Sequence, residues 1–339
     1  MAKRCLVTGG LGFLGQHVVE LLRSYGDEVR ILDIATPQQE IPGVEYVTGS
    51  ITDAGLVREA MEGRDYVFHL AANAGLWSPR KQDFLTVNQT GTRNIMEAAM
   101  DAGVERVVHT STESVLKSDR SRKNQVCDES VELTYQDMVG AYCKGKFLAE
   151  QEAREAAKRG LHVVIVNPSI PIGPGDRNLT PPSRMIVDFL NGKYPAYLES
   201  VLNVVDVRDV AYGHLLAIEN GKPGERYFLG NQNIRLSELL QLLEQLTGIP
   251  MPERQIPYWL ALVVSAVSET ISDTITKKPP TAPLTGVRLA RSPIYFDNTK
   301  ATTELNVSFR PVMSSLKDAV KWYQQQGWLQ PRGSGEMEK

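Results

Sequence analysis

Short runs rich in β-branched residues alternate with longer amphipathic segments through the first half of the chain. The runs are RCLVTG (4–9), EVRILDI (28–34), VEYVTGS (44–50), DYVFHLAA (65–72), RVVHTST (106–112) and HVVIVNPS (162–169). Positions 67–70 and 163–166 are nearly continuous apolar runs, which is typical of strands covered by helices on both faces. The alternation predicts βαβ units and therefore an α/β fold, a Rossmann-type doubly wound parallel sheet.

Proline and glycine become frequent after about residue 168, in NPSIPIGPGDRNLTPPSR (167–184) and again in KKPPTAPLTG (277–286). Such stretches indicate loops and a change of organisation. We expect a smaller C-terminal substrate-binding lobe in this part of the chain. The expected boundaries are an NAD-binding Rossmann domain at 1–167, completed by roughly 203–230, a substrate lobe at 168–202 and 231–330, and a frayed polar tail at 331–339.

A glycine-rich turn joins the first run to a helical pattern at 12–25. The stretch LVTGGLGFLG (6–15) places Gly9, Gly12 and Gly15 between the run and the helix, which is the context that a dinucleotide-binding turn requires. Glycines allow the backbone to approach a pyrophosphate, and the N-terminus of the helix offers it free N–H groups. The stretch therefore predicts a dinucleotide site.

An acidic residue ends the second run. Asp33 lies 18 residues after Gly15, where a carboxylate accepts hydrogen bonds from the hydroxyls of the adenosine ribose. A carboxylate would also repel a 2′-phosphate, and the segment IATPQQE (34–40) contains no Lys or Arg to neutralise one. The sequence therefore predicts NAD in preference to NADP.

Tyr142 and Lys146 stand four residues apart in a helical pattern, so they share one face of the helix. A phenol with a pKa near 10 is a poor base at neutral pH, but a nearby ammonium and an oxidised nicotinamide both favour phenolate and lower that pKa. Proton transfer to or from a substrate oxygen then becomes feasible. Thr112 or Ser111, at the end of the fifth run, supplies a hydroxyl that orients the same oxygen.

Composition limits the partners. Lys and Arg number 37 against 40 Asp and Glu, which predicts no nucleic-acid partner. The three cysteines, Cys5, Cys127 and Cys143, form no CxxC pair and indicate neither a disulfide framework nor a metal site. The sequence has no signal-peptide core and no uncharged apolar stretch of 18 residues. We expect a cytoplasmic protein without stable membrane insertion that acts on a small molecule.

Motifs spread over nearly the whole chain resemble those of the extended short-chain dehydrogenases/reductases. They are TGGLGFLG (8–15), VFHLAA (67–72), VNQTGTRNIMEAA (87–99), HTST (109–112), Tyr142 with Lys146, and GPGD (173–176). Within that superfamily the chain is most similar to the group of dihydroflavonol reductases, 3β-hydroxysteroid dehydrogenase-like enzymes and hopanoid-associated sugar epimerases.

The resemblance implies a catalytic set in which Thr112 takes the Ser/Thr position and Tyr142 is the acid/base. Lys146 is the partner of Tyr142 and binds the nicotinamide ribose, and Asn88 is a structural residue. The implied cofactor contacts, besides Tyr142 and Lys146, are Gly9, Gly12, Phe13, Leu14, Gly15, Asp33, Ile34, Ser50, Ile51, Leu70, Ala71, Ala72, Pro168 and Ile170. The candidate substrate contacts are Asn73, Trp77, Ser111, Thr112 and Ile172.

The chain departs from the family pattern in two places. Ser50 stands where the family usually has an Asp that reaches the adenine, which either weakens that contact or moves it to backbone groups. Ile170 and Ile172 stand where nucleotide-sugar epimerases carry the Asn and Tyr of Arg-Pro-x-Asn-x-Tyr-Gly-Pro. Sugar hydroxyls and a diphosphate need polar partners, so the two isoleucines favour a largely apolar substrate.

The segment 255–275 has apolar residues at helical spacing, among them Trp259, Val263 and Val267, with Ser268 and Glu269 beside them. This pattern predicts a helix that packs in the core of the second lobe. The wall of an apolar substrate pocket and contact with a membrane surface are the alternatives.

Together these features predict an NAD-dependent oxidoreductase that interconverts a secondary alcohol and a ketone on a small, largely apolar substrate. The first alternative is an NAD-dependent nucleotide-sugar epimerase/dehydratase, since it uses the same Tyr142, and Arg288 and Arg291 could meet a diphosphate. The second alternative is a non-catalytic dinucleotide-sensing protein, although such proteins commonly lose the Tyr or Lys present here. A homodimer stays open.

Overall fold

The computed structural model describes residues 2–118, 121, 124–291 and 293–330, so the predicted tail at 331–339 lies outside the described residues. The strands are β1 (Arg4–Thr8), β2 (Glu28–Asp33), β3 (Val44–Thr48), β4 (Tyr66–His69), β5 (Arg106–Thr110), β6 (Gln125–Cys127), β7 (Val163–Pro168), β8 (Ile170–Ile172), β9 (Val201–Asp206), β10 (Arg226–Leu229), β11 (Gln232–Arg235) and β12 (Ile294–Phe296).

The α-helices lie between the strands through most of the first half of the chain, except that β2 leads directly to β3. They are α1 (Phe13–Ser24), α2 (Ala54–Met61), α3 (Asp83–Leu85), α4 (Gly91–Asp101), α5 (Gly140–Lys158), α6 (Pro181–Leu190), α7 (Val207–Asn220), α8 (Leu236–Thr247), α9 (Tyr258–Ile271), α10 (Leu284–Leu289), α11 (Thr299–Glu304) and α12 (Val312–Gln325). A π-helical turn, Thr86–Thr90, joins α3 to α4, and another, Ser272–Thr276, follows α9.

Seven strands form the central sheet in the order β10-β7-β5-β4-β1-β2-β3, and every neighbouring pair is parallel. The predicted α/β fold with a Rossmann-type parallel sheet is confirmed. The strand order reverses beside β1, whose Thr8 aligns with Leu32 of β2 on one side and His69 of β4 on the other. In open α/β sheets, ligands bind at this point, in the crevice outside the carboxyl ends of the strands.

Helices cover both faces of the sheet. Val18 and Leu22 of α1 pack with Val210 of α7 and the sheet residues of one face. Ile95 of α4 and Ala153 of α5 belong to the cluster on the other face. This double cover explains the nearly continuous apolar runs in the strands, because each strand buries side chains in both directions.

The C-terminal part has its own core. β8, β9 and β11 form a three-stranded sheet, and α6, α8 and α12 pack against it through buried side chains such as Ile186, Leu240 and Leu316. Within the segment 203–230, α7 packs on α1 and β10 pairs with β7, so both join the part built on the central sheet. The strand β9 instead pairs with β8 and β11, outside the central sheet.

The helix predicted within 255–275 forms as α9, but its expected packing in the core of the second lobe is wrong. Ser265 and Ser272 are buried, whereas Trp259, Val263 and Val267 are exposed. The segment therefore has the predicted helical periodicity, but the polar side of the helix faces the protein. Within the described residues, no helix is both long enough and apolar enough to cross a membrane.

Candidate active site

The turn between β1 and α1 depends on glycine. Gly9 has a φ of +71°, and a Cβ placed on it would lie 2.8 Å from the backbone nitrogen of Ala71. A Cβ on Gly15 would overlap the carbonyl oxygen of Gly9. Because no side chain fits at either position, the ends of β1 and β4 and the start of α1 approach one another at backbone distance.

The N-terminus of α1 has no side-chain cap. Gly12 is the N-cap residue in an extended conformation, and the first turn, which begins with Phe13 and Leu14, contains no acidic residue. The backbone N–H groups of this turn and the positive end of the helix dipole therefore face the crevice. Such a terminus binds phosphate groups, so the turn fits the pyrophosphate of a dinucleotide.

Asp33 closes β2 beside the same turn. Its Oδ2 accepts a hydrogen bond from the backbone nitrogen of Leu11 at 3.0 Å, and its Oδ1 accepts one from that of Ala35 at 3.0 Å. An ionised carboxylate has about four acceptor sites, so capacity remains for the two hydroxyls of a ribose. Ile34, the next residue, is 77% exposed. Asp33 is therefore fixed in place at the turn by two backbone donors.

Two further predicted cofactor residues follow β3. The Ser50 hydroxyl lies 2.8 Å from the Thr52 hydroxyl. Ile51 is buried against Gly91, and its carbonyl oxygen accepts a hydrogen bond of 3.0 Å from the Asn94 side chain. Both the side chain and the carbonyl oxygen of Ile51 are therefore engaged within the protein.

The segment after β4 is held by Asn88. The Asn88 Oδ1 accepts a hydrogen bond of 2.7 Å from the backbone nitrogen of Asn73, and its Nδ2 donates one of 3.1 Å to the Asn73 carbonyl oxygen. The backbone nitrogen of Ala71 donates to the Thr8 hydroxyl at 3.2 Å. Leu70, Ala71 and Ala72 are thus fixed across from the glycine turn, and their contacts with a cofactor stay a prediction.

Tyr142 lies in the first turn of α5. Its ring packs edge-on to that of Phe84, with ring centroids 6.1 Å apart. Burial raises the pKa of Tyr142 to about 12, and hydrogen bonds with Thr112 and Ser114 act in the opposite direction. The expected lowering of this pKa by Lys146 is therefore not met in the chain alone, because burial dominates.

Lys146 lies one helical turn beyond Tyr142 and is buried. Its Nζ donates a hydrogen bond of 2.6 Å to the carbonyl oxygen of Thr110. Burial lowers the pKa of Lys146 to about 8, and the negative charge of Glu150 opposes this shift. The predicted sharing of one helix face by Tyr142 and Lys146 is thus accompanied by a fixed position for the ammonium.

Close packing of α5 on the π-helical turn positions both side chains. A Cβ on Gly145 would meet the carbonyl oxygen of Phe84 and would lie 3.3 Å from the Asn88 Nδ2. Glycine at this position therefore permits the contact that brings Tyr142 over the carboxyl edge of the sheet. Such π-helical turns inside α-helices occur frequently at functional sites.

Ser111 and Thr112 diverge, which decides between the two hydroxyls that the sequence offered. The Ser111 hydroxyl is buried and donates a hydrogen bond of 2.5 Å to Glu150. The Asn167 side chain donates to the same Glu150 oxygen at 3.0 Å. Since neighbouring residues in extended backbone point to opposite sides, only Thr112 meets Tyr142, and the candidate role of Ser111 toward substrate is not supported.

Two predicted substrate contacts are engaged elsewhere. Ile172 is 2% exposed and packs in the core of the C-terminal part. The Trp77 ring nitrogen donates a hydrogen bond of 2.7 Å to Asp273, beyond the end of α9. Ile170 is half-buried and Pro168 is buried, one on each side of the step between β7 and β8. The prediction for Ile172 is therefore corrected to a core residue.

A family model described as the NAD dependent epimerase/dehydratase family matches residues 5–230, more than half of the chain. The chain belongs to this family. It is an enzyme of the NAD(P)-dependent extended short-chain dehydrogenase/reductase type, which confirms the resemblance that the motifs indicated.

Two relatives of this epimerase/dehydratase family member cover almost all of it. A protein from Synechocystis sp. named "Putative dihydroflavonol 4-reductase" is 39% identical over 339 residues, with 97% of each chain covered. "Sterol demethylase protein B" from Methylococcus capsulatus is 30% identical over 330 residues, covering 96% of this chain and 99% of that one.

Solved structures of similar proteins share the fold. The crystal structure of gox2253 has a TM-score of 0.82 and 34% identity, covering 97% of this chain and 100% of that one. A dTDP-glucose 4,6-dehydratase double mutant from Streptomyces venezuelae, solved with NAD bound, has a TM-score of 0.76 and 27% identity, covering 96% and 98%. The glycine turn of this family member is therefore built on a fold that holds NAD in a solved relative.

Some residues that shape the site were not predicted from the sequence. Ser114 contacts the Tyr142 phenol. Glu150 accepts hydrogen bonds from Ser111 and Asn167. The spacing offered a signal for Glu150, because it lies four residues after Lys146 on the same helix face. Ser114 had no such signal, since a 3-10 turn at Glu113–Val115 brings it back toward Tyr142.

Proposed function

We propose that the protein is an NAD-dependent oxidoreductase that interconverts a secondary alcohol and a ketone on a small, largely apolar substrate, with Tyr142 as the acid/base. The observation that carries this proposal is the position of Tyr142 and Lys146 one helical turn apart at the start of α5, with the Lys146 Nζ bonded to the carbonyl oxygen of Thr110 at the end of β5. This arrangement lies at the carboxyl edge of the sheet, where the glycine turn also ends.

In the direction of ketone reduction, Tyr142 donates its phenolic proton to the substrate oxygen. A pKa of about 12 keeps the phenol protonated at neutral pH, so the acid form is ready in the free protein. The Thr112 hydroxyl holds the same substrate oxygen by a hydrogen bond. When bound, the nicotinamide supplies or accepts the hydride at the reacting carbon and, when oxidised, places a positive charge near the phenol.

In the direction of alcohol oxidation, the Tyr142 oxygen takes the hydroxyl proton as the substrate carbon–oxygen bond becomes a carbonyl. The phenol must first release its own proton to water, which needs positive charge nearby to stabilise the phenolate. Lys146 supplies a fixed cation one helical turn away, at a position that Thr110 defines. We further propose that Lys146 donates to the hydroxyls of a nicotinamide ribose.

NAD is the proposed cofactor in preference to NADP. The support is Asp33, whose two oxygens are oriented by the backbone nitrogens of Leu11 and Ala35. A 2′-phosphate would face this carboxylate at the close of β2, with strong repulsion between the two anions.

A largely apolar substrate is supported by Ile170 and by the relatives. Ile170 is half-buried immediately after β7, at the carboxyl edge of the sheet. A polar group buried against such a residue without a partner costs about 1–3 kcal/mol, which disfavours a sugar with several hydroxyls. The names of two relatives refer to a sterol and to a dihydroflavonol.

The test compares NAD-linked oxidation of sterol-like and long-chain secondary alcohols with epimerisation of UDP-sugars and GDP-sugars, all by the purified protein. We expect oxidation of at least one apolar alcohol and no sugar-nucleotide turnover. Robust epimerisation that is lost in the double variant Arg288→Ala with Arg291→Ala would replace the proposal with the sugar-nucleotide alternative. Tight NAD binding without turnover across both panels would favour the sensing alternative.

A further inference from the structure

The helix α9 and the π-helical turn after it carry most of the exposed large apolar side chains. Within the described residues, eleven large apolar side chains are exposed, and seven of them lie between positions 259 and 275. They are Trp259 (66% exposed), Leu260 (38%), Val263 (54%), Val264 (56%), Val267 (55%), Ile271 (43%) and Ile275 (75%). We call this set the α9 ridge. A contiguous apolar surface of this kind marks a contact site rather than ordinary surface.

The α9 ridge is rigidly presented, because the opposite side of the helix is fixed to the protein by polar contacts. The Ser265 hydroxyl donates a hydrogen bond of 2.8 Å to the Ala282 carbonyl oxygen. Glu269 accepts hydrogen bonds of 2.8 Å from the Lys81 ammonium and from the Leu284 backbone nitrogen. Turning the ridge inward would break these contacts and bury the polar groups that now have partners.

The shape of the ridge is that of a helix lying along a surface. Five of its members, from Trp259 to Ile275, recur at every fourth residue, which places them along one side. At 1.5 Å per residue the ridge is about 24 Å long. Since no described helix can cross a membrane, the ridge can lie in a bilayer interface but cannot span it.

Positive charge follows the ridge directly. Lys277 and Lys278 are exposed immediately after Ile275. Lysines near the apolar face of a surface helix are attracted to anionic lipid headgroups. Trp259, at the other end of the ridge, is the residue type that settles at the boundary between headgroups and acyl chains.

A second copy of the chain is a poorer occupant. Stable protein interfaces use about 20–30 residues on each side, with close shape complementarity. The α9 ridge offers seven side chains on one convex helix. A fluid bilayer accepts a convex apolar ridge without a matching groove, and its headgroups match the lysines at the end.

We propose that α9 is an in-plane membrane contact, with the α9 ridge seated among the acyl chains of a bilayer that contains anionic lipids and with Lys277 and Lys278 at the headgroups. The contact goes beyond the proposed function and is independent of the substrate. The Trp77–Lys81 segment stays on the protein side of α9, since Trp77 and Lys81 bond to Asp273 and Glu269 away from the ridge.

The experiment is flotation of the purified full chain with phosphatidylcholine vesicles, prepared with and without phosphatidylglycerol, in the absence of substrate. We expect the protein to float with the vesicles that contain phosphatidylglycerol and more weakly with phosphatidylcholine alone. Failure to float with either kind of vesicle would overturn the proposal.

The variant Val263→Asp tests the ridge, and Val126→Asp is its matched control, because Val126 is 64% exposed on β6, outside the ridge. Val263→Asp should reduce the vesicle-bound fraction about tenfold or more, whereas Val126→Asp should float like the wild type. Thermal unfolding and NAD binding, measured for both variants, verify that the fold is kept. Equal flotation of the two variants would contradict the proposal.

Charge is tested by Lys277→Glu together with Lys278→Glu, with Lys317→Glu and Lys321→Glu on α12 as the matched pair. The first pair should lower binding to phosphatidylglycerol vesicles several-fold and leave binding to phosphatidylcholine unchanged. Light scattering without vesicles examines the other occupant: a wild-type dimer that Val263→Asp dissociates, together with absent vesicle binding, would assign the ridge to self-association. Loss of vesicle binding with alcohol oxidation intact separates this proposal from the proposed function.

Discussion

The ammonium of Lys146 is bonded to the carbonyl oxygen of Thr110, the last residue of β5, over 2.6 Å. This bond joins α5 to the carboxyl end of the sheet at the point where Thr112 meets Tyr142. Because a backbone carbonyl carries only a partial charge, burial still lowers the pKa of Lys146 to about 8. The Lys146 ammonium is therefore fixed in position, and the partial charge of the carbonyl balances its positive charge only in part.

Replacing Lys146 by Met should reduce both turnover and NAD affinity, because the cation beside Tyr142 and the proposed donor to the nicotinamide ribose are lost together. A fall in turnover on the order of 10²-fold is expected. Lys144→Met is the matched control, since the Lys144 ammonium lies over the Tyr135 ring instead. Steady-state kinetics and calorimetry with NAD measure the two effects, and equal behaviour of the two variants would refute the assignment.

Removing the Tyr142 hydroxyl in Tyr142→Phe should lower turnover by about 10²- to 10⁴-fold, because the proton carrier is gone. NAD affinity and the thermal midpoint should stay near the wild-type values, since the ring and its packing against Phe84 remain. Tyr135→Phe provides the control for loss of a phenol near the same helix. Near wild-type turnover in Tyr142→Phe would leave the proposed chemistry without its acid.

Asp33→Ala should narrow the preference for NAD over NADP by weakening NAD binding and relieving the repulsion of a 2′-phosphate. Asp53→Ala is a useful comparison, because the Asp53 carboxylate caps α2 by accepting hydrogen bonds from the backbone nitrogens of Gly55 and Leu56. It should cost about 1 kcal/mol of stability and leave the cofactor preference unchanged. Calorimetric titration with NAD and with NADP measures both affinities. Unchanged affinities in Asp33→Ala would disprove the ribose contact.

His109→Leu should stabilise the protein. Neither ring nitrogen of His109 has a hydrogen-bond partner within the described residues, although the side chain is buried. Replacing an unpaired buried polar ring by an apolar side chain of similar volume should raise the free energy of unfolding by about 1–3 kcal/mol. His214→Leu should lower it instead, because His214 is bonded to Thr110 and Val210. Chemical denaturation of both variants gives the comparison, and shifts of the same sign would contradict it.

The free energy of unfolding should fall as the pH is lowered below about 6.5. Burial lowers the pKa of His69 to about 3 and that of His214 to about 4. The unfolded chain protonates these rings below about pH 6.5, so it binds more protons than the folded chain until those lower values are reached. Between pH 7 and pH 5, the free energy of unfolding of His214→Gln should fall by about 2 kcal/mol less than that of the wild type. Identical pH slopes would exclude His214 as a contributor.

Much of the fold followed from the sequence because parallel strands covered on both faces leave nearly continuous apolar runs. The glycine turn could also be predicted from the sequence, since Gly9 and Gly15 stand where any side chain would collide with the backbone. The Tyr142–Lys146 spacing placed both residues on one helix face because the helical period is fixed.

The remaining errors of the sequence-based predictions concern the direction in which side chains point, not the type of secondary structure. Ser111 and Thr112 are adjacent hydroxyls, and only the position of Glu150 determines which one faces away from Tyr142. The periodicity at 255–275 predicted a helix, but partners far along the chain, Lys81 and Ala282, hold its polar side inward. Ile172 matched a substrate position by alignment with a motif, whereas its burial depends on packing in the C-terminal part.

The last strand of the central sheet comes late in the chain. β10 ends at Leu229, some sixty residues after β7, and covers the edge of β7 with backbone hydrogen bonds. During synthesis at about 5–20 residues per second, that edge stays unpaired for several seconds after β7 leaves the ribosome. The nascent chain therefore passes through an interval in which an apolar strand can recruit another chain, and early truncation products share this aggregation hazard.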